Sequence, residues 1–192
     1  MAFGYGMFTG GFGLHYGLQK LGCMMIPAGS GNTERHIAMI EDYGTTVLVA
    51  TPSYALHMCE VGEQMGFDWK ASTLRVGLFG GEPCPPGLKA EIEGRMHIVC
   101  TDNYGLTEVM GPGVSGECLA SRDMQHIAED HFLWEVVDPD TGEPVPDGEE
   151  GELVLTPLGK QAIPVLRYRT HDLTRDTCEP CACGRTHARM RK

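Results

Sequence analysis

The sequence lacks three features: an excess of basic residues, a long hydrophobic run and a secretion signal. Its 15 Lys and Arg face 26 Asp and Glu, which gives a formal net charge of −11. That charge argues against nucleic-acid binding, because phosphate contacts need a basic surface. No apolar run approaches the roughly 20 residues of a membrane helix. Residues 1–12 show neither a basic start nor a small-residue cleavage site. We therefore expect a cytoplasmic protein without a nucleic-acid or membrane partner.

The remaining composition is typical of a globular protein. Hydrophobic residues make up 42% and charged residues 21% of the 192 residues. This length allows one sizeable domain, or one domain with a small appendage. The sequence contains neither an internal repeat nor a low-complexity tract.

Eight cysteines are present, but their irregular spacing in a chain of this size does not suggest a disulfide framework. Cys23, Cys59 and Cys100 lie in apolar runs, where we expect small buried hydrophobic side chains. The late part of the chain holds a second group, Cys118, Cys178, Cys181 and Cys183.

The first part of the chain alternates predicted strands and helices. Strands are predicted at 23–27, 45–50, 74–79 and 96–100, and helices at 8–21, 33–43, 53–65 and 85–94. Such alternation favours a parallel sheet with flanking helices, in which nucleotides bind at the carboxyl ends of the strands.

The pattern changes after Gly116. Residues 132–137 and 152–155 are predicted to pair as antiparallel strands, 165–170 forms a further strand, and 174–192 is expected to be irregular. The predicted fold class is therefore α/β: a parallel sheet with flanking helices over residues 1–115, followed by a smaller antiparallel β unit over 116–192.

Residues 102–108, Asp-Asn-Tyr-Gly-Leu-Thr-Glu, are the most informative segment. They are predicted to form a turn after a strand, which makes a shelf for a nucleotide. The ring of Tyr104 can stack on a base, and Gly105 lets the backbone approach a phosphate. The hydroxyl of Thr107 can donate to a phosphate oxygen, and Glu108 can hold Mg²⁺. A capped helix start is the plainer interpretation.

Two further segments complete the pattern. Gly80-Gly81-Glu82-Pro83 follows a predicted strand, so it also lies at a carboxyl end. Downstream, residues 168–172 end in Asp172, whose carboxylate could bind two ribose hydroxyls. The alternatives are a plain turn at 80–83 and a surface or helix-capping Asp at 172.

The order of these three segments resembles the adenylate-forming enzymes. The sequence of residues 104–114 is similar to the corresponding motif of the phenylacetate-CoA ligase family in particular. Segments 4–11, 31–35, 51–55 and 129–132 resemble the same family. The resemblance covers essentially the whole chain, which would correspond to the middle portion of such an enzyme.

The resemblance implies the N-terminal domain fold of that superfamily, in part, and a two-step ATP-dependent reaction. An aromatic acid becomes an acyl-adenylate and then a coenzyme A thioester, with release of pyrophosphate and AMP. It implies ATP/AMP, Mg²⁺ and coenzyme A, with Thr107 and Glu108 as catalytic residues and Mg²⁺ on Glu108. The implied nucleotide-binding residues are Gly80, Gly81, Glu82, Pro83, Asp102, Tyr104, Gly105, Thr107 and Asp172.

The resemblance also makes the glycine- and aromatic-rich start of the chain one wall of the acid pocket, with Phe3, Phe8 and Gly81 as lining residues. Glycine leaves room for a ring, and aromatic side chains pack against it. Relatives usually carry Tyr where this chain has Phe3, so the preferred ring-substituted acid stays open. A helix packed closely through its glycines is the plainer interpretation, and it is compatible with the pocket.

Cys181 and Cys183 form a tight thiolate pair, and a closed zinc site needs two further ligands. Cys118 and His126 precede the predicted paired strands at 132–137 and 152–155, and the cysteine pair follows them, so this antiparallel sheet could bring the two ends together. The resemblance to the family implies the same four residues. We therefore predict zinc on Cys118, His126, Cys181 and Cys183. A local site completed by Cys178 and His187, or free thiols, are the alternatives.

The phosphate loop of such enzymes is expected before residue 1, and the mobile domain with the catalytic lysine after residue 192. The chain alone is therefore expected to lack ligase turnover. Two other functions stay open: a non-catalytic, zinc-stabilised nucleotide-binding module, and a ligase for a different carboxylic acid. A homodimer also stays open.

Overall fold

The structure is a computed structural model, and it describes residues 1–191. The chain forms two compact units, Met1–Asp102 and a second unit that begins at Asn103. The division inferred from the sequence, at 115/116, lies later in the chain. Among the helices of residues 1–191, none combines the length and the hydrophobicity that a membrane span requires.

Four helices lie in the first unit: α1 (Thr9–Lys20), α2 (Thr33–Asp42), α3 (Pro52–Met65) and α4 (Pro86–Met96). Their starts follow from local chemistry. The side chain of Asn32 accepts the backbone N–H of Arg35 at 3.0 Å, which caps α2. Helix α3 is capped by Thr51, whose Oγ1 accepts the N–H of Tyr54. Ser53, where the predicted helix begins, therefore lies inside the observed helix.

The strands of the first unit are β1 (Val47–Ala50), β2 (Val76–Gly80) and the start of β3 (Val99–Leu106), in the order β1-β2-β3. Strands β1 and β2 pair in parallel. The core contains the fully buried Met58, Phe79, Ile92 and Met96 from helices and sheet. This arrangement of helices on parallel strands confirms the predicted α/β class.

Residues 23–27 form no strand, so that prediction is wrong. A strand needs partners for its backbone groups. Here the carbonyl of Ile26 accepts from the Met1 amino group at 3.1 Å and from the N–H of Ala28 at 2.9 Å. Cys23 is exposed rather than buried, whereas Cys59 and Cys100 are buried as predicted. Burial raises the pKa of the Cys59 thiol to about 11.

The second unit is an antiparallel sheet. It contains the end of β3, then β4 (Gly111–Cys118), β5 (Ser121–Ile127), β6 (Phe132–Val137), β7 (Gly151–Pro157), β8 (Tyr168–Thr177) and β9 (Arg189–Arg191). The strand order is β3-β4-β5-β9-β8-β7-β6, with antiparallel pairs throughout. The predicted pairing of 132–137 with 152–155 is confirmed.

The end of the chain is more regular than its composition predicts. Strand β8 continues to Thr177, and the three residues of β9 pair with both β5 and β8. The expectation of an irregular segment therefore fails at both of its ends, and Lys192 lies outside the described residues. Met190, in the middle of β9, is buried with Val114, Ile127 and Leu155 in the core of this unit.

Candidate active site and metal centre

The segment at Gly80–Pro83 lies where strand β2 ends. Gly81 has a φ of +83°, a conformation that favours glycine, and turns the chain out of the strand. An Oε1 of Glu82 then accepts the backbone N–H of Ser53 at 2.5 Å. A carboxylate at the start of helix α3 is stabilised by the orphan N–H groups there. Glu82 thereby fixes the turn against the helix.

The three residues predicted to line the acid pocket lie together in the first unit. The ring centroids of Phe3 and Phe8 are 5.4 Å apart, with the planes tilted by 59°. A Cβ on Gly81 would lie 3.8 Å from Cζ of Phe8 and 4.0 Å from Cε1 of Phe3. Phe3 is buried, whereas Phe8 keeps 38% of its surface exposed. Gly81 has no side chain to occupy the space beside the two rings, so a flat apolar group can pack there.

The same region contains a polar pair that the sequence reasoning missed. The hydroxyl of Tyr5 and Nδ1 of His15 are 3.0 Å apart, and the Tyr5 ring packs edge-on against Phe12. The ten-residue spacing between Tyr5 and His15 gives no motif. The contact arises because the N-terminal segment folds back along helix α1.

Residues 102–106 form part of strand β3, so the predicted turn begins only at Thr107. A Cβ on Gly105 would lie 2.1 Å from the carbonyl oxygen of Gly111 in β4. Close approach of two strands therefore requires glycine at 105, next to a register shift after Tyr104. Asp102 is half-buried in the same strand.

Tyr104 and Asp172 meet although they are 68 residues apart in sequence. The Tyr104 hydroxyl donates to Oδ2 of Asp172 at 2.6 Å. Burial, and then this hydrogen bond, raise the pKa of Tyr104 above its ordinary value. The backbone N–H of Asp172 donates to Oγ1 of Thr170 at 3.1 Å, and that hydroxyl donates to the carbonyl of Leu153 at 2.8 Å. The carboxylate is thus held in one orientation.

Thr107 and Glu108 lie in the turn after β3, with exposed side chains. The ammonium group of Lys160 donates to the backbone carbonyl of Glu108. This lysine was also missed by the sequence reasoning, because it lies 52 residues further along the chain and outside any motif. It places a positive charge at the backbone of the turn that carries Glu108.

The four predicted zinc ligands come together in the second unit. Cys118 ends β4, His126 lies in β5, and Cys181 and Cys183 lie between β8 and β9. Their candidate ligand atoms all lie within 4.8 Å of one another. The Sγ atoms of Cys118 and Cys181 are 3.8 Å apart, and Sγ of Cys183 is 3.5 Å from Nε2 of His126.

The pKa values of Cys183 and His126 are shifted toward their metal-binding forms, whereas burial raises the pKa of Cys118. The backbone N–H of Arg185 is the main cause that lowers the pKa of Cys183 to about 7. Burial, and then the Arg185 charge, lower the pKa of His126, which favours the neutral ring. Thiolate and neutral imidazole are the forms that bind metals. Cys178 and His187 are not members of the cluster within residues 1–191.

Comparison with known sequences points to a single family. The profile of the family described as AMP-binding enzyme matches residues 1–158. Phenylacetate-coenzyme A ligase of Aromatoleum evansii is 51% identical over 175 residues, which cover 91% of this chain and 40% of that protein. The Thermus thermophilus ligase of the same name is 48% identical over 189 residues, covering 98% and 42%. The chain therefore spans less than half the length of these curated relatives.

Solved structures of CoA ligases have the same fold as this chain. An open conformation of 2-hydroxyisobutyryl-CoA ligase, in complex with 2-HIB-AMP and CoA, superposes with a TM-score of 0.93 at 28% identity. The match covers 99% of this chain and 45% of that one. The resemblance to the adenylate-forming enzymes, and to phenylacetate-CoA ligases among them, is confirmed. The chain belongs to the AMP-binding enzyme family.

Proposed function

We propose that the protein containing this chain is an ATP-dependent aryl acid–CoA ligase of the phenylacetate-CoA ligase type. The observation that carries the proposal is the identity of 48–51% to ligases of that name over at least 91% of the chain. A carboxylate oxygen of the acid attacks the α-phosphorus of ATP, and pyrophosphate leaves. The thiol of coenzyme A then attacks the acyl carbon, and AMP leaves.

The proposed roles of Tyr104 and Asp172 rest on their hydrogen bond within the second unit, and the other roles rest on the similarity to the ligase family. Asp172, oriented by Tyr104, accepts hydrogen bonds from the ribose hydroxyls, and Tyr104 forms part of the base site. Thr107 donates to a phosphate oxygen, and Glu108 holds Mg²⁺. The metal supplies charge neutralisation for the phosphates. Gly80–Pro83 contribute to binding adenine and the acyl group. Asp102 and Gly105 belong to β3, the strand that carries Tyr104, and contribute to binding the nucleotide.

Phe3, Phe8 and Gly81 support an aromatic substrate. The partly exposed Phe8 ring beside a glycine offers an apolar surface without a charge. Phe3 lacks the hydroxyl of the Tyr that relatives usually carry at this position. A polar substituent on the acid would therefore have one hydrogen-bond partner fewer here than in those relatives. We assign the nucleotide- and acyl-binding part to residues 1–115, and the antiparallel β unit with its cysteine-rich, zinc-binding segment to residues 116–192. The enzyme is proposed to be cytoplasmic and to act in phenylacetate catabolism. The homodimer is a further proposal.

The geometry of the cysteine cluster supports zinc as a structural metal. Two thiolates on tetrahedral zinc, each about 2.3 Å from the metal, lie about 3.8 Å apart, and a thiolate and an imidazole nitrogen about 3.6 Å apart. Two of the six pairs of ligand atoms are 3.8 Å and 3.5 Å apart, and all four atoms lie within 4.8 Å of one another. Four protein ligands leave no open position, so the metal would hold the fold and take no part in the reaction.

The test is a pyrophosphate-release screen of arylacetic acids with the full-length ligase that contains this chain, with thioester detected by mass spectrometry. We expect turnover that requires ATP, Mg²⁺ and coenzyme A, with phenylacetate among the best acids. The 192-residue chain alone should give none. Nucleotide binding without pyrophosphate release from any acid would favour the non-catalytic module. Efficient turnover of aliphatic acids only would assign a different substrate class.

A further inference from the structure

Glu152 is a buried carboxylate that no motif identified. It lies in β7 with 2% of its surface exposed. A charge is costly to bury unless it is paired and hydrogen-bonded. Its partners come from a single short segment of β8. Arg169 donates through Nε at 2.9 Å and also through Nη2, and His171 donates through its backbone N–H at 2.9 Å. Nδ1 of His171 is 3.1 Å away.

These contacts hold an irregular piece of backbone. His171 has a φ of +60°, in the left-handed region that residues other than glycine adopt only at a cost. The pairing of β7 with β8 shifts register between Glu152 and Val154, so the regular ladder is interrupted there. The Glu152 carboxylate accepts the N–H that a ladder carbonyl would otherwise accept. It thereby supports the bulge.

Asp172 follows His171 within this irregular segment, which lies between the paired residues Arg169 and Leu173. Its carboxylate accepts from Tyr104, and its orientation depends on the backbone of His171 just before it. We propose that Glu152 is a positioning residue, which acts through the His171 backbone to aim Asp172 at the ribose of the nucleotide. This inference rests on the proposed function for the role of Asp172. It adds a buried charge whose purpose is to shape the ribose site.

The test measures discrimination between ATP and 2′,3′-dideoxy-ATP in the full-length ligase by ATP–pyrophosphate exchange. Hydrogen bonds from ribose hydroxyls to a carboxylate should favour ATP by about 10- to 100-fold in kcat/KM. We expect Glu152→Gln to lose at least about tenfold of that preference, mainly through a higher KM for ATP. A residue needed only for folding would lower activity with both nucleotides equally. The matched control is Glu150→Gln, an exposed carboxylate two residues earlier, which should keep the preference.

A double variant separates direct from indirect action. Because Glu152 acts through Asp172, Glu152→Gln with Asp172→Asn should discriminate no worse than Asp172→Asn alone. An unchanged preference in Glu152→Gln, or additive losses in the double variant, would overturn the inference. If Glu152→Gln does not fold, Glu152→Asp carries the same test, because it keeps the charge but withdraws the carboxylate.

Failure of the proposed function gives a different result. An inactive wild-type ligase with every acid would overturn that function and leave the positioning role testable by calorimetry. AMP and 2′,3′-dideoxy-AMP would then be compared on wild type and Glu152→Gln. A wild-type preference for AMP that the variant loses supports the role of Glu152, and a preference that the variant keeps contradicts it.

Discussion

The two units of the chain stabilise their interiors differently. The first unit fills the space between helices and parallel strands with Met58, Phe79 and Ile92. Among the described buried residues that are polar or charged, only His36 and Lys89 belong to it, whereas the second unit has Ser115, Ser121, Gln125, His126, Glu152 and Thr174. Parallel strands covered by helices have two apolar faces. The antiparallel unit instead relies on specific polar contacts, and those contacts hold its candidate functional groups.

Cysteine shows the same contrast. In the first unit, Cys59 is a small apolar side chain whose burial raises the pKa of its thiol. In the second unit, Cys118 and Cys181 are also buried, but their sulfurs face each other and His126 is close by. Burial alone therefore does not distinguish a structural cysteine from a candidate ligand, whereas convergence of several ligand atoms does.

The largest effect should come from removing one of the converging cysteines. In the 192-residue chain, Cys118→Ser or Cys183→Ser should abolish binding of about one zinc per chain and destabilise the second unit by on the order of 5 kcal/mol. Metal analysis and thermal unfolding measure this. Cys59→Ala should cost only about 1 kcal/mol and keep the metal. Zinc retained in Cys118→Ser would favour the local site with Cys178 and His187. If wild type purified without chelator contains no zinc, the clustered cysteines of the second unit are ordinary buried or exposed thiols, as the cysteines of the first unit are.

The next effect tests whether the chemistry depends on the turn after β3. In the full-length ligase, Glu108→Gln should slow adenylation about a hundredfold, or by about 3 kcal/mol, because a metal-side carboxylate is lost at the phosphoryl centre. The rate of ATP–pyrophosphate exchange is the measurement. Glu60→Gln, an exposed carboxylate in α3, serves as the control and should be neutral. Equal rates in both variants would remove Glu108 from the mechanism.

A smaller effect tests the apolar packing of the first unit. A Cβ on Gly62 in α3 would lie 2.6 Å from the ring of the buried Trp69, so Gly62→Ala should cost about 1–3 kcal/mol. Gly94 in α4 has open space around it, and Gly94→Ala should stabilise the chain by up to about 1 kcal/mol. Denaturant unfolding of both variants gives the comparison. A neutral Gly62→Ala would show that this core yields more easily than its packing implies.

The smallest effect concerns acid stability in the second unit. The hydrogen bond from Arg169 is the main cause that holds the pKa of Glu152 below its ordinary value of 4.5. A depressed folded-state pKa contributes stability above pH 4.5 that is lost as the pH falls through the folded-state pKa. Glu152→Gln should therefore flatten the stability profile below about pH 4.5. Unfolding free energies between pH 3 and 6 measure it, and an unchanged acid slope would mean that the pair contributes no net stability.

The sequence allowed prediction of the elements with local signals and, together with the family resemblance, of the convergence of Cys118, His126, Cys181 and Cys183. That these residues bind zinc stays a prediction. The helices at 9–20, 33–42, 52–65 and 86–96 follow from hydrophobic periodicity, prolines and terminal glycines. The cluster around Cys118 and Cys183 could be anticipated because a tight C-x-C pair needs further ligands. Strands were harder to predict than helices. Apolar composition alone predicted a strand at 23–27, but the carbonyl of Ile26 accepts hydrogen bonds from Met1 and Ala28 instead of from a neighbouring strand.

Residues whose roles depend on distant pairing could not be found in this way. Gly105 was assigned to phosphate approach, but in the fold it allows β4 to come close. Lys160 and Glu152 belong to no motif, and their partners lie 52 and 17 residues away. Long-range register, rather than local propensity, decides such contacts.

Strand β9 has a consequence for the order of synthesis and folding. Its residues, Arg189–Arg191, separate β5 from β8 in the sheet, so within residues 1–191 these two strands are joined through β9. A ribosome makes β5 and β8 first and the connecting strand last. The hairpin of β4 with β5 and the meander from β6 to β8 can each form early from neighbouring residues. Neither can become part of the complete sheet until the last described residues have been translated. A pause in translation before residue 189 would therefore leave two exposed strand edges, which are sites of mispairing between nascent chains.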